Sequence, residues 1–338
     1  MKSVYKTQKS KNNNLNNKEA LWKHRWYAGT DGHGSSNGNW KLNRNDENFQ
    51  CALSHFGAWT QNQAAIVSYE YDKEGYFMPT QHLLSLFVQT DGSLDPRFHA
   101  SFTTEWKANK DFTWDANTQA NFNKDASVVG QKISSGELAY KVVVPQDDDY
   151  ASEVDNKATS KYLLVDYKDV YDDAGRNVKM ILNGKENHFR YIYPSLKKHL
   201  SDNYYVANAS KSRNGNLNAT FIMRMPEVYL IAAEASIYLN NTSQALTYIN
   251  KVRTRAGAKA LTGAPNVRTV IDERGRELCG EYCRFFDLKR AGLLTSSYLN
   301  ETHPDLGQYF KAEYTVKPFP ETFIQSISNG SEYQNPGY

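Results

Sequence analysis

The sequence predicts a mainly α-helical protein in which long irregular loops and a few short strands precede a tetratricopeptide-like helical hairpin. Apolar residues between Val228 and Leu239 recur at the three- and four-residue spacing of an amphipathic helix. A polar break at 240–243 separates this helix from a second one. Polar, turn-rich sequence with isolated apolar runs fills most of residues 1–218, so regular structure is expected mainly after them.

The composition excludes several classes of protein. The chain has 338 residues, of which 40% are hydrophobic and 23% charged, so it is neither collagen-like nor disordered throughout. Its 40 basic and 37 acidic residues give a net charge of +3, which does not favour a nucleic-acid partner. No apolar run approaches the roughly 18 residues that a membrane-spanning helix needs.

The start of the chain and the cysteines leave the cellular compartment open. The Lys- and Asn-rich sequence up to Lys18 lacks the apolar core of a signal peptide, which leaves a cytosolic protein or a mature or truncated chain. Three cysteines are too few for a disulfide framework or a four-cysteine zinc site. Cys279 and Cys283, four residues apart on a predicted helix, are expected to be free thiols.

Short elements are expected within the irregular part of the chain. A polar, loop-like segment covers residues 1–60. Pro79 and Thr80 open a short helix that ends at the Asp91-Gly92 turn. The predicted elements are this helix, at 81–89, and strands at 64–71, 97–106, 140–144 and 162–167.

Four helices are expected after residue 220. The first has Pro226 in its first turn and carries one continuous apolar face, formed by Val228, Ile231, Ala232, Ala235, Tyr238 and Leu239. The second helix places Leu246, Ile249 and Val252 on one face and ends near Gly257. The third and fourth span 267–279 and 282–290. A single hairpin cannot bury its own face, so it must pack on another element, to which the third and fourth helices contribute.

Motifs in the helical part resemble those of a known family. The segment 224–235 is similar to the start of the final helical hairpin of the SusD/RagB family, and 249–257 follows it in the family's order. The later pieces are Glu273-Arg274, Glu277-Leu278, Glu281, Arg284, Asp287-Leu288, Arg290, Gly292, 317–320 and the terminal 334–338. Three upstream segments also resemble the family, at Pro79-Thr80, Asp91-Gly92 and 95–98. The resemblance covers roughly residues 60–338.

The resemblance implies a SusD-like fold and a surface lipoprotein of the bacterial outer membrane that is not an enzyme. Such a protein binds oligosaccharide or polysaccharide without a cofactor and passes it to a SusC-like TonB-dependent transporter; a peptide ligand is the alternative within the family. It implies a C-terminal family domain at 61–338, with ligand-facing excursions at 61–218 and a helical core and tail at 219–338. The family's N-terminal half and lipid anchor are expected to be missing from this chain.

The charged residues of these motifs predict a structural ion-pair network. Paired carboxylates and arginines can perform acid–base chemistry, but charges of both signs on packed helices usually pair with one another. A chain terminus frays unless it is anchored, so the terminal motif is also assigned a structural role. The residues with this predicted role are Arg224, Glu227, Glu234, Arg253, Arg255, Glu273, Arg274, Glu277, Arg284, Asp287, Arg290, Asn335 and Tyr338.

Aromatic side chains in loop-like sequence are the candidate ligand-binding residues. A flat indole or phenol ring can cover the apolar face of a sugar, and loops on a rigid scaffold often carry such contacts. Burial in the core is the alternative for each ring, because tryptophan is highly buried on average. The candidates are Trp40, Trp59, Tyr76, Trp106 and Trp114.

Three rival hypotheses rest on weaker patterns. Residues 34–38 match the G-x-S-x-G motif of serine hydrolases, with Ser36 as nucleophile. The sequence around them does not predict the strand and helix that flank this motif, so we interpret the match as chance. Acidic residues at 147–149 and 166–173 fit no calcium-binding loop and predict a solvated surface, with no metal site. A helical interaction scaffold without a small ligand is the third hypothesis.

Overall fold

The computed structural model describes residues 20–24, 78–108, 111–172, 178–198, 220–281 and 283–338. Contacts divide the chain into two units, one that runs to Glu281 and one that starts at Tyr282. The predicted domain boundary at 60/61 lies outside the described residues. The other predicted boundary, at 218/219, also falls outside them and stays a prediction.

Helices make up most of the regular structure, with short strands between them. In the first unit the helices are α1 (Gln81–Leu86), α2 (Arg97–Ser101), α3 (Ala116–Asn121), α4 (Tyr150–Asp155), α5 (Tyr167–Val170), α6 (Met225–Tyr238), α7 (Thr242–Arg255) and α8 (Val267–Glu277). The second unit contains α9 (Arg284–Arg290), α10 (Ser296–Thr302), α11 (Pro304–Gly307) and α12 (Glu321–Ser326). The strands are β1 (Ala20–His24), β2 (Phe102–Thr103), β3 (Glu105–Lys107), β4 (Phe112–Thr113), β5 (Lys132–Ile133), β6 (Leu138–Val143), β7 (Leu163–Asp166), β8 (Ile181–Leu182), β9 (Lys185–Glu186), β10 (Ser195–Leu196) and β11 (Thr220–Arg224). The mainly α-helical fold class is confirmed.

A three-stranded sheet forms the centre of the first hydrophobic core. Strand β6 pairs antiparallel with β3 and parallel with β7, so that Tyr140 lies opposite both Trp106 and Leu163. Both β6 and β7 are buried on their two faces, which explains why they occur as continuous apolar runs in the sequence. The strands predicted at 140–144 and 162–167 are therefore confirmed as β6 and β7.

The strand predicted at 97–106 is wrong in its first half. Residues 97–101 form α2, and extended structure begins only at Phe102. Phe98 and Phe102 pack against each other with their ring centroids 5.5 Å apart. Because these two rings are four residues apart, they fit one face of a helix as well as one face of a strand, and the spacing alone could not separate the two.

Helix α1 begins where the sequence predicts it and ends three residues early. The hydroxyl of Thr80 accepts a hydrogen bond from the backbone N–H of Leu83 at 3.1 Å, which caps the first turn. After Leu86 the chain turns back, and Val88 bridges to Leu94 across a turn at Asp91-Gly92. The strand predicted at 64–71 lies outside the described residues.

The predicted helical hairpin is present as α6 and α7. Pro226 lies in the first turn of α6, and the side chain of Asn241 caps α7 by accepting from the N–H of Gln244 at 3.1 Å. Gly257 follows α7 with a φ of +80°, a conformation that ends a helix without strain only for glycine. The core between these helices and α8 consists of Leu230, Ala233, Ala245, Ile249, Val252 and Val270.

The face on which α6 packs differs from the predicted one. Leu230 and Ala233 are buried, whereas Ile231, Tyr238 and Leu239 of the predicted apolar face are 44%, 60% and 79% exposed. Helix α6 is apolar around most of its circumference, so the spacing of apolar residues does not identify the buried side. Most of the predicted stripe is exposed apolar surface, and its members Val228 and Ala232 are half-buried.

The C-terminal tail folds back on the second unit. The hydroxyl of Tyr338 donates to the carbonyl of Val316 at 3.0 Å, and its ring lies 6.2 Å from that of Tyr314. The amide of Asn335 donates to the carbonyl of Lys317 at 2.6 Å. These contacts hold the last residues although Tyr338 remains 47% exposed.

Candidate functional site

Two glutamates on α8 form the centre of a buried ionic cluster in the first unit. Asn266 caps this helix, and the four-residue spacing places Glu273 and Glu277 on the same face. Both carboxylates are completely buried, and Glu281 continues the series one turn further on with 6% of its side chain exposed. Buried carboxylates must be paired or neutral, so their partners decide what the cluster can do.

Glu273 is surrounded by three guanidinium groups. Nη1 of Arg97 donates to Oε1 of Glu273 at 2.7 Å, and Nη1 of Arg253 donates to Oε2 at 2.9 Å. Nη2 of Arg276, three residues along α8, donates to the same Oε2 at 2.7 Å. The contacts join α7, α8 and the segment that begins α2.

Glu277 also receives three guanidinium groups. Nη1 of Arg97 donates to it at 3.0 Å, Nη1 of Arg224 at 2.5 Å and Nη2 of Arg255 at 2.8 Å. Arg97 therefore bridges both glutamates, and it also forms a two-point contact with Asp95, whose oxygens lie 3.0 and 2.7 Å away. Planar guanidinium groups suit such multiple contacts with carboxylates.

The cluster extends to Glu281 at the end of the first unit. Nη2 of Arg224 donates to Glu281 at 2.8 Å, and Nζ of Lys198 donates to the same carboxylate at 2.5 Å. Lys198 is itself buried and donates to the backbone carbonyl of Glu277 at 2.7 Å. A lysine after β10 thus satisfies a carbonyl group near the end of α8.

The surrounding cations keep these carboxylates ionised. Burial alone would raise the pKa of Glu273, but Arg97, Arg276 and Arg253 outweigh it and hold the pKa at about 2. Lys198 and Arg224 likewise hold the pKa of Glu281 at about 2. The pKa of Glu277 is also lowered. Inaccessible groups that stay charged at neutral pH are unsuited to proton transfer with a substrate.

The other charged motif residues pair within their own unit or are buried. Within the first unit, Arg274 donates to Glu227 at 3.1 Å, and Glu234 is buried. Within the second unit, Arg290 donates to the buried carboxylate of Asp287 at 3.1 Å, and Arg284 donates to the hydroxyl of Tyr298 at 2.9 Å. The contacts join α8 to α6 in the first unit and α9 to α10 in the second.

Trp106 and Trp114 lie in the hydrophobic core of the first unit. Trp106 is 2% exposed and stacks on Tyr140 at a centroid distance of 4.4 Å. Trp114 is 1% exposed, and its indole N–H donates to the carbonyl of Lys161 at 2.7 Å. Neither ring offers a free face to a sugar, so the alternative of core packing applies to both, because each ring has an aromatic or hydrogen-bonding partner inside the fold.

The remaining aromatic candidates Trp40, Trp59 and Tyr76 lie outside the described residues, as does the G-x-S-x-G match at 34–38. Other rings, which the sequence did not single out, are exposed in the described part of the chain. Tyr309, Tyr333 and Phe286 of the second unit are the most exposed of these, at 71%, 60% and 65%.

Several members of the ionic cluster carry no obvious sequence signal. Arg97 lies 176 or more residues before its partners on α8, and Lys198 lies in an irregular segment. Asp95 enters the cluster only through its contact with Arg97. Two signals were available: the repeat of Glu273, Glu277 and Glu281 at intervals of four, and an aspartate two residues before an arginine. Either pattern indicates paired charges, but neither gives the partner.

The described residues hold no group of three or more His, Cys, Asp and Glu side chains that could bind a metal ion. In the same ranges, none of the helices combines the length and apolarity that crossing a bilayer requires. Cys279 is buried and Cys283 half-buried, and both are free thiols as predicted.

Comparison with known proteins identifies the family. The model of the SusD family matches residues 18–338. The chain belongs to the SusD family. A SusD-like protein of Formosa agariphila is 42% identical over 80 residues, which cover 22% of this chain and 15% of that protein. Members of this family are binding proteins rather than enzymes.

Solved structures agree with this family at the level of the fold. A SusD superfamily protein from Bacteroides fragilis is similar over 99% of this chain and 54% of its own, with a TM-score of 0.51 and 15% identity. A SusD-like protein from the same species is similar over 99% and 57%, with a TM-score of 0.51 and 16% identity. The SusD family chain thus spans little more than half of these two relatives.

Proposed function

We propose that this SusD family protein binds oligosaccharide or polysaccharide without catalysis and delivers it to a TonB-dependent transporter of the SusC type. The match of the family model to residues 18–338 carries this proposal. Under this proposal the protein lies at the outer face of the bacterial outer membrane, beside its transporter. A peptide ligand is the alternative within the same family.

The ionic cluster supports a role in binding rather than in catalysis. A catalytic acid or base needs a substrate within hydrogen-bonding reach and a pKa near the working pH. Glu273 and Glu277 have neither, because guanidinium groups cover their oxygens and hold their pKa low. The charges therefore stabilise the scaffold on which a binding surface lies.

A panel of glycans tests the proposal. Affinity electrophoresis through gels that contain neutral polysaccharides should retard the intact protein, and calorimetry should give a Kd between about 1 μM and 1 mM, or about −8 to −4 kcal/mol. Weak binding is expected because the ligand must be released to the transporter. Binding to peptides with no response to any glycan would support the alternative ligand.

The exposed apolar face of α6 favours a second function, that of a helical protein-interaction scaffold. Ile231, Tyr238 and Leu239 present apolar surface to solvent in this structure. An Ile231→Lys substitution would then abolish association with a protein partner. If the protein is such a scaffold, the unaltered protein would bind none of the glycans in the panel, and this result would separate the two functions.

A further inference from the structure

A shallow, open depression with a cavity volume of about 70 Å³ lies on the first unit where α1, α2 and the end of β6 meet. Its apolar wall includes Leu84, Leu94, Phe98, Val144 and Pro145. This volume is smaller than that of ordinary ligand sites, which range from about 300 to 1,000 Å³. The depression therefore cannot enclose a ligand and can contact only one side of a single unit of a longer one.

The apolar wall is held rigid by the core beneath it. The ring of Phe98 contacts that of Phe87 edge-on at 5.8 Å and lies 5.5 Å from that of Phe102. These three rings are at most 2% exposed. A wall fixed in this way loses little conformational entropy when a ligand binds.

Polar groups around the apolar wall are all neutral. Gln81, Ser85 and Gln146 line the depression together with the half-buried ring of Tyr167. Neither glutamine amide makes a side-chain hydrogen bond to another described residue, whereas Ser85 donates to the carbonyl of His82 at 2.7 Å. Each amide offers both a donor and an acceptor, as a sugar hydroxyl does.

The ring of Tyr167 is braced from behind. It lies 6.3 Å from the ring of Tyr171, which is buried and donates its hydroxyl hydrogen to the carbonyl of Pro79 at 2.7 Å. An aromatic ring supported like this can cover the apolar C–H face of a sugar.

No lining residue of the depression carries a charge. Asp147, the residue after Gln146, already accepts from the backbone N–H of Val144 at 2.9 Å and lies 3.0 Å from the ring nitrogen of His99. A carboxylate or sulfate group on a ligand would lose its hydration here without gaining an opposite charge. The site therefore suits a neutral ligand.

We propose that the depression bounded by Gln81, Gln146 and Tyr167 is a subsite for one neutral sugar unit of the glycan. Tyr167, with Leu94 and Pro145 at the rim, covers part of the C–H surface of the unit, and the two amides bond its hydroxyl groups. This inference rests on the proposed glycan-binding function and adds a location and a charge preference to it.

Calorimetry with defined oligosaccharides tests the subsite. The probes are neutral hexasaccharides of glucose, xylose, mannose and galactose, with hexagalacturonate as the charged counterpart. The intact protein should bind at least one neutral probe and should bind hexagalacturonate at least tenfold more weakly. The double variant Gln81→Ala/Gln146→Ala should weaken neutral binding about tenfold, since it removes two hydrogen bonds.

Two further variants make the result specific. Ser85→Trp places a bulky ring at the exposed position on α1 and should abolish binding by filling the depression. Gln131→Ala removes a glutamine amide outside the depression and should leave affinity unchanged. Circular dichroism and melting temperatures confirm that each variant is folded before its affinity is compared.

The outcomes separate this inference from the proposed function. Loss of neutral-glycan binding in both depression variants, with the Gln131→Ala control intact, supports the subsite. Neutral-glycan binding that survives in both variants, or equal binding of hexagalacturonate, overturns the subsite and leaves glycan binding in place. Failure of the unaltered protein to bind any glycan overturns both, and peptide binding that the depression variants abolish would assign the depression to a peptide instead.

Discussion

Replacing Glu277, at the centre of the ionic cluster, with glutamine should destabilise the first unit. Glu277 is fully buried and receives Arg97, Arg224 and Arg255 at 3.0, 2.5 and 2.8 Å. The amide keeps the size of the side chain but removes the negative charge that three buried or half-buried cations face. Breaking one buried pair costs about 3–5 kcal/mol, because the remaining charge stays desolvated without full compensation.

The lower end of that range applies to Glu277→Gln. Arg97 retains Asp95 and Glu273, and Arg224 retains Glu281, so these two guanidinium groups keep other carboxylate partners. We therefore expect the free energy of unfolding of the first unit to fall by about 3 kcal/mol. Urea unfolding, followed by tryptophan fluorescence and circular dichroism, measures this change.

A matched control distinguishes burial from charge. Asp111→Asn makes the same carboxylate-to-amide change in an exposed ion pair with Lys132, at 2.5 Å, where both side chains are more than half exposed. Solvent screening should make its effect too small to measure. Equal stability of Glu277→Gln and Asp111→Asn would refute the view that the cluster holds the fold, and so would a loss of glycan affinity in Glu277→Gln with unchanged stability.

Three other expectations concern acid, the second unit and a core ring. As the pH falls from about 4.5 to 2, Glu273 and Glu281 should each lower the free energy of unfolding by up to about 3 kcal/mol. Their pKa in the folded protein is about 2, below the unfolded value near 4.5, so the unfolded state takes up protons first. Identical urea midpoints at pH 5 and pH 3 would contradict this. Asp287→Ala should lower the free energy of unfolding by about 1–3 kcal/mol and leave glycan affinity unchanged, because the buried carboxylate pairs with a half-exposed Arg290. A variant that melts at the same temperature as the unaltered protein but no longer binds glycan would count against this. Trp106→Ala should cost about 3–5 kcal/mol through the cavity beside Tyr140, without a specific effect on glycan affinity; a stable variant with selectively lost affinity would make the ring a ligand contact after all.

Local signals in the sequence predicted the local structure well. Thr80 and the polar break at 240–243 identified helix starts because a capping side chain acts within three residues of itself. Strands β6 and β7 were predictable from their apolar runs. The segment 97–101 was not, since Phe98 and Phe102 suit both a helix and a strand.

Tertiary choices were less accessible. The side of α6 that packs was not predictable because Ala233 and Leu230 compete with an equally apolar opposite face. Arg97 bonds Glu273 and Glu277, which lie 176 and 180 residues away, whereas its neighbour Asp95 indicates only a local ion pair. Trp106 and Trp114 were candidate ligand contacts with core packing as the alternative, and the structure buries both, Trp106 in β3 and Trp114 directly after β4.

Calorimetric titration of the intact protein with a neutral oligosaccharide tests most directly whether it binds glycan without turnover. Binding alone predicts an isotherm that saturates, with heat flow that returns to the baseline after every injection. Sustained heat flow after the injections would indicate turnover of the sugar, and the absence of heat with every neutral oligosaccharide would contradict glycan binding itself.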